Sequence, residues 1–199
     1  MIEYLVFFGF ALSVYGIAVY IKDTLIGKTK PNRITWLMWS IAPLIAAAAA
    51  ISKGVTFAVV PVFMSGFGPL CVLTASFFNR KAYWKLATFD YLCGFFSVVA
   101  LVVWVITKEA NIAIIFAIAS DGFAAIPTLK KSWTNPETET GMPFIMGLIS
   151  SLTCFTAIRY WIFSEYAFAM YLVIVNILLI IFIYRKRFPT FIKNVKIKQ

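Results

Sequence analysis

Apolar residues run along this chain in unbroken stretches of about 20, without the alternation of a half-wet strand or the one-faced spacing of a soluble helix. Stretches of that length match roughly 30 Å of hydrocarbon. Charges and turn formers divide them into spans near 2–22, 34–52, 55–78, 84–107, 111–131, 143–160 and 166–184. Backbone groups in lipid must bond within their own segment or in a closed barrel, and the alternation a barrel requires is absent from these stretches. The pattern therefore predicts an all-α integral membrane protein with seven transmembrane helices.

Composition strengthens that reading. Apolar side chains make up 62% of the 199 residues and charged ones 13%, too little polar surface to cover a soluble domain. Mean hydropathy is +0.89. The net charge of +10 raises the question of a nucleic-acid partner, but the basic residues sit in alternate connections between spans. Lys22, Lys28, Lys30 and Arg33 follow the first span, Arg80, Lys81 and Lys85 the third, and Lys130 and Lys131 the fifth. Arg185, Lys186, Arg187, Lys193, Lys196 and Lys198 follow the last, leaving Lys53, Lys108 and Arg159 for the other face. Because basic loops resist translocation, the expected orientation is N terminus outside and C terminus in the cytoplasm. No nucleic-acid partner is implied.

The tail RKRFPTFIKNVKIKQ spaces Phe188, Phe191, Ile192 and Val195 among lysines, which suits it to lie on the anionic inner leaflet or to be solvated. The N terminus lacks a basic lead and a small-residue cleavage site, so the first helix is expected to remain in the mature protein. Cys71, Cys93 and Cys154 fall within apolar stretches and read as packing residues. With no histidine in the chain, the commonest metal ligand and near-neutral acid–base group are missing. No catalytic constellation, metal or cofactor is expected.

Loop lengths suggest an internal repeat. Residues 23–33 join spans one and two, residues 132–142 join spans five and six, and each pair is followed by a short outer turn, at Lys53 and Gly54 or from Trp161 to Glu165. An offset of 108 pairs Lys22 with Lys130 and Thr24 with Ser132, and an offset of 111 pairs Phe57 and Ala58 with Phe168 and Ala169. A single span between two such units would give them the same orientation. The division expected is a first three-helix unit over 1–80, a linker helix over 81–109, a second unit over 110–187 and a basic tail over 188–199.

This arrangement of 3+1+3 parallel repeats resembles the SWEET and PQ-loop (MtN3-like) transporter superfamily. In the second repeat, AAIPTLKKSWTNPETETGMPF, Pro127 and Thr128 are similar to that family's Pro-Gln pair, and Lys130, Lys131 and Ser132 to its basic stretch. The first repeat, GIAVYIKDTLIGKTKPNRITW, has no proline at the equivalent place, and the chain's one glutamine is Gln199. The likeness spans nearly the whole chain in topology and about 25 residues of each repeat in sequence. It implies a fold and a transport function by alternating access more than a particular substrate.

Several polar residues interrupt the spans. Asp121 lies about ten residues into span five, near mid-membrane, where an unpaired carboxylate costs about 3 kcal/mol or more. It is a candidate for solute binding and proton coupling, or a structural carboxylate held by neighbouring hydroxyls. Asp90, about two turns into span four, is a second coupling candidate and a more natural structural residue. Asn176 in span seven is similar to the substrate-side asparagine that the resembled family places in the third helix of each repeat, and Ser65 stands at the paired position of the first repeat. Its alternative is interhelical bonding.

Trp36 and Trp39 suit the aromatic wall of a cavity, though Trp36 also fits the interfacial belt. Pro43, Pro61, Pro69 and Pro127 remove helix hydrogen bonds and provide hinge candidates. The Ser65 to Gly68 stretch and the alanines of 46–50 suit close helix packing, and Glu137 and Glu139 suit pairing with loop lysines. The expected function is transport of a small polar solute, proton-coupled or facilitative, in a bacterial inner membrane. Oligomerisation is left open. The alternative is a non-transporting seven-helix receptor, scaffold or assembly partner.

Overall fold

The computed structural model describes residues 5–52, 60–106, 110–157, 161 and 163–186. Lys53, Lys108, Arg159, the pair Phe57 and Ala58, and the tail from Arg187 onward lie outside the described residues. Within them the protein is all-helical: α1 Leu5–Leu25, α2 Arg33–Ser52, α3 Val60–Phe78, α4 Thr88–Ile106, α5 Ala110–Thr134, α6 Met142–Cys154 and α7 Phe163–Tyr184. Single 3-10 turns at Arg80–Ala82, Pro136–Thr138 and Phe155–Ala157 complete the described elements.

Local chemistry sets the helix ends that matter below. Gly27 adopts a φ of +79° just past α1, where a side chain would be strained, and its N–H bonds to the Thr24 carbonyl at 3.0 Å. The chain then turns back, and the Asn32 side chain caps α2 by accepting from the N–H groups of Ile34 at 3.1 Å and Thr35 at 3.3 Å.

Two stretches among the described residues, Phe7–Leu25 and Tyr166–Tyr184, are long and apolar enough to cross a membrane. Shorter apolar helices run over Phe63–Phe78, Thr88–Val103 and Met142–Cys154. Several expected boundaries shift. The fourth helix begins at Thr88 rather than near 84, the first and fifth run on to Leu25 and Thr134, and the sixth ends at Cys154, followed by a 3-10 turn over Phe155–Ala157.

Side chains are distributed in the reverse of a water-soluble protein. Phe7, Phe8, Phe95, Val102, Ile106, Ile115, Ile174 and Ile181 are exposed, whereas Thr24, Thr29, Asn32, Thr35, Thr128, Lys131, Ser132 and Glu139 are buried. The apolar core, built on Tyr20, Trp36, Val72, Ala125, Phe144, Val175, Leu179 and Ile183, lies among α1, α2, α3, α5, α6 and α7.

Helix pairing is symmetric under exchange of α1–α3 with α5–α7. Helix α1 packs on α3 and α6, as α5 packs on α7 and α2; α2 pairs with α3, as α6 pairs with α7. Helix α4 breaks the symmetry by packing on α5 and α2. Ser97 and Ser120 tie α4 to α5, each hydroxyl donating to the other's carbonyl at 2.7 and 2.9 Å.

Candidate functional site

Asp121 lies half-buried on α5, where the Tyr171 hydroxyl of α7 donates to its Oδ2 at 2.6 Å. On its other side, the Trp39 indole N–H of α2 donates to the Asp121 backbone carbonyl at 3.3 Å. The two sequence candidates therefore meet where α2, α5 and α7 converge, and Tyr171 joins them. Nothing in the spacing of the seventh span distinguishes Tyr171 from an interfacial tyrosine.

Trp36 is 2% exposed, with its ring 4.7 Å from that of Tyr20 and 5.3 Å from that of Trp39. Trp36 is thus a core residue, packed between Tyr20 of α1 and Trp39 of its own helix. Phe144 of α6 closes the same aromatic group against Tyr20 and Trp39. A continuous ring cluster thus extends from Trp39 beside Asp121 to Tyr20 at the loop end of the bundle.

The remaining candidates lie elsewhere. Asn176 bonds to the Leu172 carbonyl of its own helix at 2.8 Å and faces Gly147 of α6. Tyr171 reaches α5 from a different side of the same helix. Ser65 is exposed on α3, next to Gly66, which packs on the α2 backbone at Ser40 and Leu44. Asp90 is in the first turn of α4 rather than two turns in, and its Oδ2 accepts from the Ala87 N–H at 2.7 Å. That is a capping bond, which holds a carboxylate favourably at a helix start. Pro43, Pro69 and Pro127 all lie within helices, Pro69 and Pro127 buried and Pro43 half-buried. Pro61 is in the first turn of α3.

The densest polar chemistry is at the loop end, where the 23–33 and 132–142 connections interlock. Lys131 and Glu139 form an ion pair at 2.6 Å with side chains 1% and 0% exposed. The Tyr20 hydroxyl donates to the other Glu139 oxygen at 2.7 Å, and the Lys131 ammonium also donates to the Lys30 carbonyl. Beside this pair, Thr140 donates to Asp23 Oδ2 at 2.6 Å and accepts from Thr29 at 2.5 Å. Lys28 bridges to the same Asp23 oxygen at 2.7 Å.

One level further in, Thr128 donates to Thr35 at 3.0 Å, and Thr35 donates to the Ala124 carbonyl at 2.7 Å. The expectation that Glu139 pairs with a loop lysine holds, with Lys131 as partner; Glu137 is exposed. A sequence signal for Lys131 exists: Ser120, Ala124, Thr128 and Lys131 follow helical spacing along α5, and all four are buried. Lys130, one position round, is exposed over the Phe89 ring.

Against the outer side of this seam lies a cavity of about 300 Å³, lined by Asp23, Lys28, Glu137, Thr140, Tyr184 and Lys186 among others. No group of metal-ligating side chains occurs among the described residues. No family model, curated protein or solved structure matches this chain.

Proposed function

We propose that the chain is a multi-pass membrane transporter of a small polar solute. It has seven spanning helices in 3+1+3 parallel repeats, N terminus outside and C terminus in the cytoplasm of a bacterial inner membrane. The exposed apolar faces, the bias of Lys and Arg to one set of connections and the exchange-symmetric helix pairing support that architecture. It is also the architecture that the likeness to SWEET and PQ-loop transporters implies.

The observation that carries transport is Asp121, a carboxylate held by Tyr171 and set beside Trp39 where one unit meets the other. An ionisable group placed at such a junction is costly in a bilayer and is retained where it binds or exchanges a charge. In this reading Asp121, Tyr171 and Trp39 contact the solute or its coupling proton. The solute moves between faces as the two units rock about this level.

The purified protein is tested by ligand-dependent thermal shift against sugars, amino acids, vitamins and metabolite acids, followed by uptake of any stabilising solute into proteoliposomes. Stabilisation and uptake together are expected. The second reading, a non-transporting scaffold, is favoured by one observation: the cavity of about 300 Å³ borders the loops, away from Asp121, whose carboxylate already has a partner. Absence of stabilisation by every solute class would leave that reading standing.

A further inference from the structure

The seam between the two units is not closed by apolar packing alone at its loop end. Every bond named there except Lys131 to Glu139 and Lys28 to Asp23 crosses from one unit to the other. Tyr20 reaches Glu139, Lys131 reaches the Lys30 carbonyl, Thr140 reaches Asp23, and the Lys30 N–H reaches the Thr138 carbonyl at 3.0 Å. The seam is also closed to bulk solvent. Thr24, Thr29, Asn32, Thr35, Thr128 and Ser132 are all 0% exposed.

Two physical facts make such a seam reversible. A buried ion pair gains about as much from hydration on exposure as it gains from its partner in the interior, so opening it costs less than exposing an equal apolar face. Three polar atoms in the same region, the hydroxyls of Thr24 and Ser132 and the Asn32 amide nitrogen, are buried without a hydrogen-bond partner in the protein. Each is penalised in the closed seam and satisfied when water enters. Thr24 and Ser132 are 108 residues apart, the same offset that relates Lys22 to Lys130, so the two units contribute equivalent unpaired hydroxyls.

We infer that the Lys131–Glu139 pair, braced across the seam by Tyr20 and the Lys30 carbonyl, is a latch that holds the cytoplasmic side of the pathway shut. Its release admits water to Thr24, Asn32 and Ser132, which then line the inner vestibule. The assignment of pathway and cytoplasmic side rests on the transporter reading above.

The test uses full-length protein in nanodiscs with Cys71, Cys93 and Cys154 replaced by alanine and a single new thiol, Thr24→Cys or Ser132→Cys. The probe is a membrane-impermeant maleimide. With the latch intact, labelling is expected to be slow. With Glu139→Gln or Lys131→Met, which leave one charge unpaired, it is expected to rise at least tenfold. Ala125→Cys, 1% exposed in the core, reports global unfolding and is expected to stay unlabelled throughout.

Equal rates with and without the latch, or labelling that rises only together with Ala125→Cys, would overturn the inference. Tyr20→Phe removes a single hydroxyl and is expected to raise labelling several-fold; no change there overturns the latch even where the charge variants do not fold. Because labelling needs no solute, the two readings fail separately. Uptake with unchanged labelling removes the latch, and latch-dependent labelling without any uptake removes the transporter.

Discussion

Lys30 and Thr138 lie 108 residues apart and bond directly to one another, N–H to carbonyl, at 3.0 Å. The bond joins the 23–33 connection to the 132–142 connection through backbone alone, so it ties the two loops together whatever their side chains do. A backbone N–H to carbonyl bond of this kind brings Cα atoms to about 5 Å, within disulfide range. Lys30→Cys with Thr138→Cys is expected to form an intramolecular disulfide under mild oxidation. Mass spectrometry of the peptides in the protein lacking its three native cysteines checks it; a failure to cross-link would mean that the two connections do not meet at this bond.

The Lys131–Glu139 pair predicts an asymmetry between single and double substitution. Removing one partner strands the other as a buried charge, at a cost of about 3–5 kcal/mol, whereas replacing both with apolar residues of similar size is near neutral. Lys131→Met alone is expected to lower the melting midpoint in detergent markedly. Lys131→Met with Glu139→Met is expected to recover most of it, leaving Tyr20 and the Lys30 carbonyl without partners. A double variant no better than the sum of the singles would show that the pair does not act as a unit.

The seven helices were legible in the sequence because unbroken apolar runs bounded by charges and turn formers leave few other places for helix ends. Asp121 and Trp39 were legible for the same reason: a charge and a large amphipathic ring stand out in an apolar run. The burial of Trp36 was not, since it depends on α1 bringing Tyr20 against α2, a tertiary event that local pattern does not encode. Lys131 and Glu139 were missed as a buried pair because lysines in a loop are first read as topology signals. Only the helical phase of Lys131 with Thr128 and Ala124 separates it from exposed Lys130.

Asp121 carries a prediction on coupling. If its carboxylate exchanges the driving proton, Asp121→Asn is expected to abolish uptake driven by a pH gradient while leaving solute exchange at equal pH measurable. Tyr171→Phe, which removes the hydrogen bond to Oδ2, is expected to shift the pH dependence of uptake without abolishing it. Undiminished gradient-driven uptake by Asp121→Asn would remove the residue from the coupling step.

The same substitution at two glycines is expected to act in opposite directions. A Cβ at Gly16 of α1 would come within 2.9 Å of the Pro143 Cα and 3.0 Å of the Met146 Cβ on α6, so one of its obstacles is backbone that cannot rotate aside. Gly16→Ala must push α1 and α6 apart, across the contact that joins the two units, at a cost of about 1–3 kcal/mol. A Cβ at Gly122 of α5 meets only the Tyr171 ring, at 3.9 Å, an ordinary contact. Gly122→Ala removes backbone freedom from the unfolded chain inside a helix and is expected to gain about 0.5–1 kcal/mol. Melting curves of the two variants, measured side by side in one detergent, check both signs. Stabilisation by Gly16→Ala would mean that α1 and α6 are further apart than this packing has them.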